Sequence, residues 1–143
     1  MNELELTVSR TIAAPRKEVF DAWLSPSMLA KFMGPPNASA GEAEVSNDPV
    51  KGGRFSIVMK TAERDVPHTG TYLEIDPHSR LAFTWQSPHS LDDSVVTIDF
   101  AEPETGKTAI TLKQVKFKSE QARDNHISGW NAIIDNLSKQ IEG

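Results

Sequence analysis

Cysteine is absent from the 143 residues. Disulfides, thiolate catalysis and cysteine-based zinc sites are excluded together. No apolar run approaches the ~20 residues that a membrane-spanning helix needs. The opening MNELELTVSR also lacks the basic-then-apolar layout of a secretory signal, so a cytoplasmic chain with no membrane span is expected. Basic residues are outnumbered, 15 against 20 acidic, for a net charge of -5. Affinity for nucleic acid comes largely from basic side chains meeting phosphates, and no nucleic-acid partner is expected. The one basic cluster, Lys113, Lys116 and Lys118, reads as a solvated strand edge. The four histidines, His68, His78, His89 and His126, show no HxH or HxxxH spacing, and no metal site is expected. There is no Gly-x-Ser-x-Gly elbow, P-loop or dinucleotide fingerprint, and no cofactor is expected.

What is present has the composition of a soluble globular domain, 38% hydrophobic and 24% charged, with no repeat or linker dividing residues 1–143. Leu4, Leu6 and Val8 alternate with Glu3, Glu5 and Thr7, a strand with one buried face. In AAPRKEVFDAWL, Pro15 stands at a first helical turn, and Val19, Phe20 and Trp23 follow at helical spacing. Ser25 is placed to cap a second short helix, SMLAKF (27–32), which Met33-Gly34-Pro35-Pro36 stops. Strands are predicted at Ala40–Val45, Arg54–Lys60, Thr69–Ile75, Arg80–Trp85, Val95–Phe100 and Thr108–Val115. Asp76-Pro77-His78-Ser79 reads as a type I turn, Glu102 to Lys107 as a hairpin link, and residues 61–67 and 86–93 as loops. The last element is the longest, capped by Ser119, with Ile127, Trp130, Ile134, Leu137 and Ile141 on one face. Runs of strands followed by a long helix predict an α+β fold, a curved antiparallel sheet with the helix across it.

Six stretches occur in an order that carries a family likeness: RTIAAPRKEVFDAWLSP, FMGPP, VKGGRFSIVM, GTYLEIDPHSRLAFTW, GKTAITLKQVKF and SGWNAIIDNL. Over about residues 8–141 the chain resembles the SRPBCC (START/Bet v 1-like) superfamily, in the branch named after the C-terminal domain of the activator of Hsp90 ATPase. The resemblance implies a helix-grip fold. In it a bent sheet, with two short helices after the first strand, wraps a long C-terminal helix. It also implies an elongated apolar cavity between helix and sheet, opening near the short helices and loops. Gly52-Gly53 would be a backbone device beginning the third strand. Gly129, inside the last helix, would let that helix lie close to the sheet or the short helices while Trp130 reaches inward.

On this reading Phe32, Met33, Phe55, Ile57, Met59, Trp85, Ile98, Trp130, Ile134 and Leu137 converge between sheet and helix, as a filled core or as the lining of a cavity. Arg54, Tyr72, Gln114 and His126 are the polar groups placed to orient a ligand there, although either Tyr72 or its neighbour Leu73 must point outward. The other three histidines fall in loops or turns. Asp92-Asp93 and Glu102/Glu104 sit in polar links, without the burial or charged partner that tunes an acid–base pair. No acid, base or nucleophile can be named, and no catalysis is expected. The expected function is binding of a small hydrophobic or amphipathic ligand. Contact with an Hsp90-type chaperone, or a stress-response role, is the alternative. An enzyme of the cyclase or hydrolase type is the second, because the superfamily builds those on the same cavity.

Overall fold

The computed structural model describes residues 4–33, 43–60, 65–86 and 94–142. Strand β1 (Glu5–Ile12) buries Leu6, Val8 and Ile12 and turns Glu5 and Thr7 to solvent, as the alternation requires. Two short helices follow, α1 (Arg16–Ala22) and α2 (Pro26–Phe32). Pro15 occupies the N-cap of α1, one position before the expected first turn, and brings no capping side chain. Glu102 supplies the cap from the sheet, its Oε1 accepting from the Arg16 N–H at 2.9 Å. Ser25 begins α2 as expected, Oγ accepting from the Met28 N–H at 3.4 Å.

The remaining elements are β2 (Glu44–Asn47), β3 (Arg54–Lys60), β4 (Asp65–Asp76), β5 (Arg80–Thr84), β6 (Val95–Glu104), β7 (Lys107–Val115) and the 23-residue α3 (Glu120–Glu142). The strands form one seven-stranded sheet in the order β1-β7-β6-β5-β4-β3-β2, every neighbour antiparallel. From β2 to β7 the sheet follows chain order. β1 closes the far edge against β7, from Glu5↔Val115 to Ile12↔Thr108. The Thr108 hydroxyl locks that edge by donating to the Ala14 carbonyl at 2.8 Å. This is the expected helix-grip architecture.

The bend of the sheet falls in β4, where the register shifts between Tyr72 and Glu74. A Cβ at Gly70 would collide with the Thr84 carbonyl and the Phe55 ring, so two strands and an aromatic ring meet where only glycine fits. Gly52-Gly53 is a backbone device as anticipated: Gly52 has φ +84°, and Gly53 lies against the Asp48 carbonyl. Tyr72 points inward, 3% exposed, and Leu73 outward, 42% exposed.

Several expectations need correction. β4 starts at Asp65, so residues 65–67 are strand, not loop. β6 and β7 run through most of the Glu102–Lys107 link, leaving Thr105-Gly106 as the turn. His78 has φ +66°, which a type I turn does not contain. Gly34–Pro36, Ala40–Glu42, His89 and Asp92-Asp93 lie outside the described residues.

Helix α3 is pinned to the sheet along its second half. Arg10 of β1 and Lys139 both reach Asp135, at 2.9 and 3.1 Å. Hydrogen bonds from Lys139 and then Arg10 hold that carboxyl below its ordinary value. Trp130, Ile133, Ile134 and Leu137 are buried on the face turned to the sheet and short helices.

Candidate functional site

A cavity of about 470 Å³ opens between the β3–β4–β5 side of the sheet and the first half of α3. Met59 of β3, His68 of β4 and Trp85 at the end of β5 form the sheet side. Lys118 and Ser119, just before α3, and Gln121, Ala122, Asn125, His126, Gly129, Trp130 and Ile133 form the helix side. Period-two alternation aims the sheet residues: Met59 shares a face with Phe55 and Ile57, and His68 shares one with Gly70 and Tyr72. Spacings of three and four carry Ala122, His126, Gly129, Trp130 and Ile133 along one stripe of α3.

The apolar base is held in place by a buried polar chain. The Trp130 indole N–H donates to Gln114 Oε1 at 2.7 Å. Gln114 Nε2 donates to the Ser94 hydroxyl at 2.9 Å, and that hydroxyl donates to the Val115 carbonyl at 2.7 Å. Both Gln114 and Ser94 are completely buried, so the chain is satisfied away from water. Trp85 packs against Trp130 with ring centroids 4.9 Å apart, and His68 lies on Trp85 at 4.8 Å and 34°. His68 Nδ1 is 3.1 Å from the Val66 carbonyl and His126 Nδ1 is 2.7 Å from the Ala122 carbonyl. Those contacts place the proton of each neutral ring on Nδ1.

The candidate residues separate into groups. Met59, Trp85, His126 and Trp130 line the cavity. Met33, Phe55, Ile57 and Tyr72, with Trp23, Leu29, Phe83 and the other side of Trp85, surround a void of only about 10 Å³, so that side is filled core. Burial pushes the Tyr72 phenol up from its ordinary value, against the opposing effect of an Asn47 hydrogen bond at 3.1 Å. Phe32, Ile98, Ile134 and Leu137 are core side chains that line neither space. Gln114 is not offered to a ligand, because its amide is engaged at both ends. Arg54 is exposed at the start of β3.

Two lining residues go beyond the sequence reading. His68, expected in a solvated loop, is 8% exposed and part of the aromatic wall. Lys118, expected on a solvated edge, stands at the cavity. Gly129 also departs from expectation, since among the described residues a Cβ there would meet nothing within 4 Å beyond its own chain neighbours and helix backbone, and no close approach of the helix explains it.

Among the described residues, none of α1 or α2 lines the cavity at its end beside the short helices. Trp23 closes that end by packing on Phe32 at 5.0 Å and facing Trp130 at 6.4 Å. A separate surface groove of about 550 Å³ runs between α1, α2 and the end of α3, with Pro15, Ala22, Met28 and Ile141 among polar neighbours such as Lys17 and Asp21. Among the described residues no three histidine, aspartate or glutamate side chains gather as a metal site, and no helix is long and apolar enough to cross a membrane.

A bent antiparallel sheet gripping a long helix, with a lined space between them, defines a helix-grip domain. The family model described as activator of Hsp90 ATPase homolog 1-like protein matches residues 13–142, and the chain belongs to that family. Solved structures share the fold at low identity. Protein MLL2253 of Mesorhizobium loti superposes with a TM-score of 0.79 at 21% identity, covering 97% of each chain. Protein SA2116 of Staphylococcus aureus gives 0.79 at 20% identity, covering 99% of this chain and 94% of that one. CalU16 of Micromonospora echinospora gives 0.75 at 23% identity, covering 97% and 76%. No curated protein matches the chain by sequence.

Proposed function

We propose that the chain binds a small hydrophobic or amphipathic molecule in the cavity between sheet and helix and does not transform it. One observation carries this reading: the space of about 470 Å³ with Trp85, Trp130, Met59 and Ile133 around it. Sites for small molecules fall at roughly 300–1,000 Å³, with apolar walls and a few polar groups. Each 100 Å² of apolar ligand surface removed from water would contribute about 2.5 kcal/mol before the costs of association. The described lining carries Lys118, the Gln121 and Asn125 amides and two imidazoles, but no carboxylate. It suits a ligand whose polar end is anionic or accepts hydrogen bonds. The Ser119 hydroxyl is occupied in capping α3, accepting from the Ala122 N–H at 3.1 Å, which argues against a nucleophilic role.

The test is native mass spectrometry on protein purified gently from its own host, beside the variant Met59→Glu. Met59 is only partly buried, so the variant should fold while placing a carboxylate against the apolar wall. A stoichiometric adduct present in the parent and lost in the variant is expected. A clean apo mass, with no thermal stabilisation by a panel of lipids and aromatic compounds, would overturn the proposal. Chaperone contact is the second reading, supported by the family's description. Capture of an Hsp90-type protein by the purified chain, unaffected by Met59→Glu, would favour it.

A further inference from the structure

Gly129 lies in the middle of α3, where glycine makes a helix less stable than alanine would. Three usual reasons for a glycine fail here. Its φ is not among the positive values, which among the described glycines occur at Gly52 and Gly106. It is far from the helix end where a cap would sit. Among the described residues, a Cβ built on it would meet no atom within 4 Å beyond its own chain neighbours and helix backbone. What Gly129 does border is the cavity.

Side chains on a helix lean toward its N-terminus, over the preceding turn. Gly129 is exposed, so a side chain there would lie toward Asn125 and His126 at the rim of the cavity. We propose that Gly129 is a specificity-determining residue: its missing side chain keeps the cavity mouth open, and helix stability is given up to keep it so. The inference rests on the ligand-binding reading above. It adds that the width of what enters is set at this one position. The bare turn of helix is part of the aperture, and larger residues here close it in proportion to their size.

The experiment compares the parent with Gly129→Ala and Gly129→Leu. Thermal melts are followed by circular dichroism, and affinity for 2-naphthoate and laurate, a wide and a narrow carboxylate, by calorimetry. Both variants should stay folded. Alanine should raise Tm by about 3 °C. Leucine should weaken 2-naphthoate at least tenfold, and laurate less. A folded leucine variant that binds 2-naphthoate within twofold of the parent overturns the inference while leaving the cavity's function standing. An alanine variant that melts lower than the parent also overturns it, because the glycine would then have a packing role. If the parent binds neither compound and no lipid or aromatic compound of the panel stabilises it, the binding reading fails, and this inference fails with it.

Discussion

Replacing Gln114 by leucine should reveal how the cavity wall is held. The substitution keeps bulk in a completely buried site but removes the acceptor for the Trp130 N–H and the donor to Ser94. Ser94 keeps its own donation to the Val115 carbonyl, so the main new defect is one orphaned indole N–H. An unsatisfied buried donor costs about 1–3 kcal/mol, and losing the bond to Ser94 adds about 1. A destabilisation of about 3 kcal/mol follows. The mechanism is isolated by repeating the change in a Trp130→Phe background, where no N–H is left to orphan. There the penalty should shrink by about 1–2 kcal/mol. Trp23→Phe is the control, because the Trp23 N–H has no hydrogen-bond partner among the described residues. Urea unfolding by far-ultraviolet circular dichroism is the assay, since tryptophan emission changes across the set. Equal penalties for Gln114→Leu in both backgrounds, within about 0.5 kcal/mol, would refute the view that this bond fixes Trp130.

Gly70→Ala should destabilise by more than about 3 kcal/mol or yield no soluble protein, because the added carbon meets the Thr84 carbonyl and the Phe55 ring; a urea midpoint close to the parent's would contradict this. Tyr72 predicts an alkaline limit. Burial is the largest influence raising its pKa above the ordinary 10.0, Asp48 adds to it, and the Asn47 hydrogen bond opposes it. The native state therefore keeps its phenolic proton when the unfolded chain has lost it. Stability contributed by the neutral phenol is complete below about pH 10 and falls as pH rises further. Tyr72→Phe should flatten that decline. This is the chain's one tyrosine, so phenolate absorbance follows the same titration without interference.

The strands were readable wherever one face is buried and the other wet, as in β1 and β7, because a period of two leaves its mark on single residues. The pairing of β1 with β7 has no local signal at all. It was not among the expectations, since non-local pairing depends on the whole chain and not on any one stretch. His68 was missed because Pro67 and its polar neighbours resemble a loop. Extending the inward set of Tyr72 and Gly70 back by two residues would have placed it on the cavity face. Gln114 misled in the opposite way. An amide on the inner face of a strand can serve a ligand or a neighbouring side chain, and only the partner decides. Here the partner was Trp130, whose buried N–H had to find an acceptor somewhere.

Whether the apolar set would form a filled core or a lined space could not be read from composition, yet the helix itself carries the distinction. Toward its C-terminus α3 offers Ile133, Ile134, Leu137 and Ile141 to the body of the protein, and the Arg10–Asp135–Lys139 cluster ties this half down. Upstream of Ile127 the same stripe holds Ala122, Asn125 and His126, which are too small or too polar to fill the gap left by the bent sheet. Across that gap stand Met59, His68 and Trp85, which are large and mostly buried. A helix apolar along only part of its inner face cannot close against large inward side chains that stand opposite its polar part. The space therefore opens where the hydrophobic stripe of α3 runs out, and Gly129 marks that boundary.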